Sequence, residues 1–445
     1  MRIHNYIFLL FSLIAAFSCQ KQEADIFPDS PMVRLNEALK TNTALLQSAE
    51  NGWAMEYFAT SDSPGYTLFV KFKSNGEAVF SAKNDLTKNR VLMDSSVYKT
   101  IGDNGPVLTF NTYNKVLHTF SNPVNPDGYG LEGDYEFIIM QSSADTIVLQ
   151  GKKRATTILL TKIPTTISWS NYRTALEDMN TLLFANDAPD LSLQLTDKYI
   201  FSEGASHVFQ ILKENSGLSS SFSAPFIVTR SGIRFHSPVE FDGKKSQIFD
   251  LSADKSALVS RENAEIKLTT SIDVGNLSNF LITSPKVWKY DADKSSPKVN
   301  QAYNLLVKSC NERFASTSPT LKVKEVALNF SYKPTTQLFA LQLSVIRMFT
   351  QLNGEVYLSS TPDLNTISML YNESGDENGM RFYDNSGGSF PSQLIGGYKE
   401  MVDIFSQSFT LSTEQSINPR SLKFVSKTDE TLWFTVTCNS LVQFF

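Results

Sequence analysis

Three times along this 445-residue chain an amphipathic helical pattern gives way to strands of alternating residues. That recurrence restricts the fold more than any other feature. After Ser30 and Pro31, an N-cap followed by a residue suited to the first helical position, Leu35, Ala38, Leu39, Leu45, Leu46 and Ala49 share one helical face up to Gly52. Trp169, Tyr172, Leu176, Met179 and Leu183 repeat the spacing, as do Val299, Tyr303, Leu306, Cys310 and Phe314. Strand-like sequence follows each. "YTLFVKFK" sets Tyr66, Leu68, Val70 and Phe72 on one face, and "TLWFTVTC" does the same for Leu432, Phe434, Val436 and Cys438.

The strand regions echo one another. "GPVLTFNTYNKVLHTFSNP" (105–123) can be laid on "APFIVTRSGIRFHSP" (224–238), with His118 matching His236, and "NGMRFYDNSG" (378–387) is a fainter third copy. Hairpin-like stretches follow each copy. The spacing is that of domains rather than of a solenoid. The expected fold is α+β and β-rich: three related modules, each a helix packed on a mostly antiparallel sheet. The expected boundaries are 34–164, 165–285 and 286–445.

The N-terminus carries a different signal. Arg2 precedes an apolar run from Tyr6 to Phe17, too short for a mature membrane span, and Ala15, Ala16 and Ser18 lead into Cys19. The order resembles a bacterial lipoprotein signal, in which the cysteine becomes the first mature residue and carries a lipid. Residues 1–18 are then the signal peptide, Cys19 the lipidation site and 19–33 a flexible tether, polar and holding Pro28 and Pro31. The chain's net charge of −5 and pI of about 5.6 argue against nucleic-acid binding.

The lipoprotein start, the helix leading into "NGWAMEYF", the 105–123 stretch and "GLEGDYEFIIM…DTIVLQGKKRATTILLT" resemble an uncharacterised family of surface lipoproteins of Gram-negative bacteria, a domain of unknown function. The resemblance implies an accessory of outer-membrane nutrient-uptake systems, lipid-anchored in the outer membrane and exposed at the cell surface. It assigns no catalytic residue.

Motifs that carry chemistry are sparse in this chain. His118, His207 and His236 lie far apart and form no His-Glu-x-x-His pair, and no phosphate loop or Gly-x-Ser-x-Gly elbow occurs. No metal site, cofactor or catalytic residue is expected. The best surface feature is "SNPVNPDGYGLEGDYE" (121–136), where Asp127, Tyr129, Glu132 and Asp134 form a candidate ligand-binding loop. Cys310 and Cys438 both fall on core faces, with a disulfide between them left open. Two function classes stand. The first is a non-catalytic binder of a glycan or other nutrient, or of a receptor complex. The second is an enzyme, a hydrolase using paired carboxylates on an imported polymer. A haem-capturing lipoprotein is a third reading.

Overall fold

The computed structural model describes residues 30–103, 105–123, 130–185, 188–215, 217–284, 286–314, 322–347, 351–371 and 396–438, and the backbone of 381–383 and 389–391. Its strands form three antiparallel sheets in tandem, each closed on itself. In the first, β1 (Trp53–Phe58) through β8 (Thr157–Lys162) pair in chain order, and β8 returns to β1 with Lys162 opposite Trp53. The second runs from β9 (Leu191–Gln194) to β16 (Lys267–Thr270) and closes with Thr269 opposite Ser192. The third runs from β17 (Trp288–Asp291) to β26 (Trp433–Cys438) and closes with Trp288 opposite Cys438. A hairpin of β22 (Arg381–Tyr383) and β23 (Ser389–Pro391) hangs on β20 (Gln351–Asp363), outside that ring.

The chain is β-rich and antiparallel, as its alternation predicts. The expected antiparallel sheets close on themselves, which the alternation alone does not specify. An open meander would leave two unpaired edges, and closure removes both and turns the apolar face into a lumen. Tyr66, Leu68, Val70 and Phe72 point into the first lumen beside Phe80, Phe110 and Phe137, all buried.

The helices serve mouths and seams. Ser30 caps α1 (Pro31–Gln47), its hydroxyl accepting from the Val33 N–H, with Pro31 at the first helical position. Leu46 at the far end enters the first barrel's core, Trp53 Nε1 donates to its carbonyl at 2.9 Å, and Gln47 Nε2 donates to the Tyr98 hydroxyl at 2.7 Å. The helix α2 (Trp169–Phe184) is shared. Trp169 stacks on Phe69 of the first barrel's outer wall at 5.6 Å and donates Nε1 to the Asn51 carbonyl at 2.6 Å. Its last residues, Leu182, Leu183 and Phe184, lie in the second barrel's core. A short α3 (Leu277–Thr283) follows the second barrel, and α4 (Pro297–Phe314) carries Val299, Leu306 and Cys310 into the third core.

Two seams join the barrels. Between the first and second, Arg234 pairs with Glu56 in a largely buried ion pair, and the His236 ring meets Phe58 edge-on at 4.9 Å. A buried pair of this kind penalises loss of one partner more than it stabilises when intact. Between the second and third, the loop joining β24 (Ser408–Ser412) to β25 (Ser421–Ser426) reaches back. Ile417 enters the second barrel's core, Thr270 Oγ1 donates to the Ile417 carbonyl at 2.9 Å, and Asn418 Nδ2 donates to the Leu182 carbonyl at 2.9 Å.

The sequence alignment of 105–123 with 224–238 is out of phase by one strand. Residues 106–110 are the fifth strand of the first barrel, whereas 225–228 end β12 (Leu218–Val228), the fourth strand of the second. His118 opens a 3-10 turn and His236 lies within β13 (Gly232–Phe241), so the two are not equivalent. A strand followed by a loop and a strand followed by a strand satisfy the same short spacing of proline, apolar residues and histidine. The weak third copy, 378–387, lies mostly outside the described residues.

Cys310 and Cys438 are both buried in the third core, and both are free thiols. Burial pushes the Cys310 thiol up to about 12, which leaves it protonated and unreactive. Neither cysteine is expected to label in the native, unreduced protein, and both are expected to label after denaturation without reductant. Fast native labelling of either would show that its face is not in the core.

Candidate functional site

The site is built where β5 (Pro106–Phe110) leaves the first barrel. Asn114 turns the chain, its Oδ1 accepting from the N–H groups of Val116 and Leu117 at 2.9 and 3.0 Å. That Asx turn leads into the 3-10 turn His118–Phe120. Phe120 pins the loop by inserting into the lumen, 4.6 Å from the Tyr57 ring and 4.9 Å from Tyr66. Returning toward β6 (Glu136–Ser142), Gly133 donates its N–H to the Phe120 carbonyl at 2.8 Å. A Cβ at Gly133 would lie 2.2 Å from the Tyr57 hydroxyl, so only glycine fits there.

These two loop segments and the turn between β7 (Thr146–Gly151) and β8 enclose a cleft of about 850 Å³. Its most exposed aromatic groups are Tyr113 and Tyr135. His118 lies between them, 5.3 Å from the Tyr113 ring and 4.8 Å from Tyr135, the latter nearly parallel. The row is held rigid. His118 Nδ1 accepts the Asn114 N–H at 3.1 Å, leaving Nε2 as the protonated nitrogen of a neutral ring, and burial holds its pKa below the usual histidine range. Asn122 Nδ2 donates to the Tyr113 hydroxyl at 2.6 Å.

The carboxylates of the cleft are committed to the protein. Asp134 is buried, and its two oxygens accept the N–H groups of Lys153 and Arg154 at 3.0 and 2.7 Å, which fixes the β7–β8 turn. Glu132 pairs with Arg154 Nη2 at 2.5 Å. Glu136 accepts from Thr109 Oγ1 at 3.0 Å and lies 3.5 Å from Lys152 Nζ, which also pairs with Asp103 at 2.7 Å. Of the candidate loop, Glu132 and Asp134 thus line the cleft in supporting roles, and Asp127 and Tyr129 lie outside the described residues, as does Cys19. Sequence reasoning missed Tyr113 and Tyr135 as a pair. The available signal was the Asn114-x-x-x-His118 spacing between them, which marks a closed turn rather than a strand.

The other histidines have separate surroundings: His207 Nε2 lies 2.7 Å from Asn180 Oδ1, and His236 sits against Phe58. Among the described residues no three His, Cys, Asp or Glu side chains are grouped to hold a metal. No helix among them is long and apolar enough to cross a membrane.

A family model described as a domain of unknown function, DUF4302, matches residues 23–253. The chain belongs to the DUF4302 family. The match covers the DUF4302 protein from residue 23 through the first barrel and into the second past β14 (Lys244–Leu251). No curated protein matches it. Among solved structures, similarity is found to a beta sliding clamp of C. crescentus at 11% identity and TM-score 0.15, spanning 91% of this chain and 98% of that one. A DNA polymerase sliding clamp of Pseudomonas aeruginosa follows at 9% and 0.13, with 91% and 98% spanned. Transferrin Binding Protein B of Haemophilus parasuis gives 8% and 0.13, with 84% and 65% spanned. Likeness at these TM-scores carries no argument about this DUF4302 protein.

Proposed function

We propose that this DUF4302 protein is a lipid-anchored protein of the outer membrane, exposed at the cell surface, that acts as a non-catalytic binding accessory in nutrient uptake. It consists of three related units, each a leading helix with its barrel, joined to a lipid on Cys19 by the tether. The observation that carries the reading is the state of the cleft on the first barrel. Its carboxylates are taken up by backbone amides, an arginine and a lysine, whereas two aromatic side chains face outward. Acid–base hydrolysis needs a proton donor and a base facing one bond, and committed carboxylates are poor candidates for either. Exposed rings on a rigid loop suit binding.

The anchor has its own test. Replacing Cys19 with alanine is expected to shift the full-length protein from the membrane to the soluble fraction. An unchanged membrane fraction in Cys19→Ala would refute lipid anchoring. Capture from detergent-solubilised outer membranes by the anchored wild type, but not by a Tyr113→Ala/Tyr135→Ala variant, tests the binding role of the cleft.

A further inference from the structure

The chemistry of the cleft narrows what it can hold. Among the described residues that line it, Pro123 is the only aliphatic side chain; the rest are aromatic, amide, hydroxyl, charged or glycine. A haem or a lipid needs an apolar lining, and this site offers none beyond its rings. A polyanion needs uncompensated cations. Here Lys152 is already paired with Asp103 and Glu136, Lys153 is the other lining cation, and three carboxylates line the same cleft. What remains is two exposed tyrosine rings beside uncharged hydrogen-bonding groups: Asn111, Thr112, Ser121 and Asn122 next to Tyr113 and Tyr135. A sugar ring presents the complement. One face carries C–H groups that pack on an aromatic face, and its rim carries hydroxyls that donate to and accept from amides and hydroxyls.

We propose that the cleft binds a neutral carbohydrate chain, with sugar rings packed against Tyr113 and Tyr135 and their hydroxyls met by Asn111, Thr112, Ser121 and Asn122. This rests on the reading of the cleft as a binding site. A volume of about 850 Å³ lies toward the upper end of small-molecule pockets, which run to about 1,000 Å³. It accommodates more than one sugar unit. His118 is a positioning residue: held by Asn114 and in ring contact with both tyrosines, it supports them without needing to touch the ligand.

The test is a glycan array probed with the whole mature chain, carrying neutral glucan, xylan and mannan oligosaccharides, uronate and sulfated polymers, with haemin titrated separately. The expected result is retention on one or more neutral chains, weakened about tenfold or more by Tyr135→Ala and by Tyr113→Ala. Tyr135→Phe is expected to retain most binding, because the ring face persists. Both tyrosines are substantially exposed, so melting temperatures should stay near wild type, and a variant that melts early is replaced by the phenylalanine–alanine comparison at the other position. Retention only on anionic polymers, binding of haemin alone, or neutral binding indifferent to both alanines overturns the proposal. If no neutral chain is bound while capture of an outer-membrane component still depends on the tyrosines, the carbohydrate assignment falls and the binding role stands. If neither depends on them, both fall.

Discussion

Ile417→Ala is expected to destabilise the second barrel by about 3 kcal/mol, although residue 417 belongs to the third. Ile417 is 1% exposed and sits among the buried residues of the second core. Truncating a buried isoleucine costs about 2–5 kcal/mol, the spread reflecting how far the cavity collapses. Here collapse is limited, because the loop on either side is tied by the Thr270 hydroxyl, the Asn418 amide and the N–H of Ile417 itself, which donates to the Lys255 carbonyl at 2.7 Å. Ile417→Asp is expected to be worse, since it adds an unpaired charge to the cavity. Hydrogen exchange locates the effect: amides of β9 and β16 should lose protection while those of β1–β8 keep theirs. Unchanged protection in β9 and β16 would show that the loop merely rests on the barrel.

The second large effect is acid destabilisation centred on His207. The ring is 3% exposed, and burial drives its pKa down to about 4 against a smaller opposing contribution from the Gly65 backbone. In the unfolded chain the same ring titrates near 6.5. A histidine held neutral in this way adds stability that is fully present above about 6.5 and is lost as pH falls toward 4, because the unfolded state takes up the proton first. The loss is on the order of 3 kcal/mol across that window. His118 and His236 are shifted down by burial as well, and add with the same sign. Carboxylates held low, such as Asp250 beside Arg261, come into play only below their own unfolded range, so the two effects separate along the pH axis. Melting temperature measured from pH 7 to 4.5 should fall steadily in the wild type and more gently in His207→Gln. Parallel curves would mean that His207 is protonated when folded.

The elements whose evidence is local were legible. Ser30 and Pro31 announce the start of α1 because a cap and a fixed φ act over three residues. The faces through Tyr66 and Phe72, and through Phe434 and Cys438, follow from the two-residue period of a strand. Closure was not legible. Alternation says which face is buried, but not that Trp53 will pair with Lys162, a contact set by the curvature of the strands between them. The histidine equivalence failed for a related reason: His118 and His236 have similar neighbours in sequence, and only the pairing of whole strands distinguishes a turn from a strand. The loop flanking the cleft was found because proline and glycine mark loops. The roles within it were not, because whether Asp134 meets solvent or two backbone amides depends on where Lys153 and Arg154 return.

The stitch between Thr270 and Ile417 also sets an order in time. Those residues are 147 positions apart. At a synthesis rate of about 5–20 residues per second, the last partner of the second barrel emerges several seconds or more after its final strand. The first barrel needs nothing beyond Lys162 for its ring, so it can close early, while its neighbour waits with an open core. During that interval the middle of the chain is the segment most exposed to proteases and to wrong pairing. A nascent chain stalled just short of Ile417 would therefore be expected to carry one finished barrel and one that is still vulnerable.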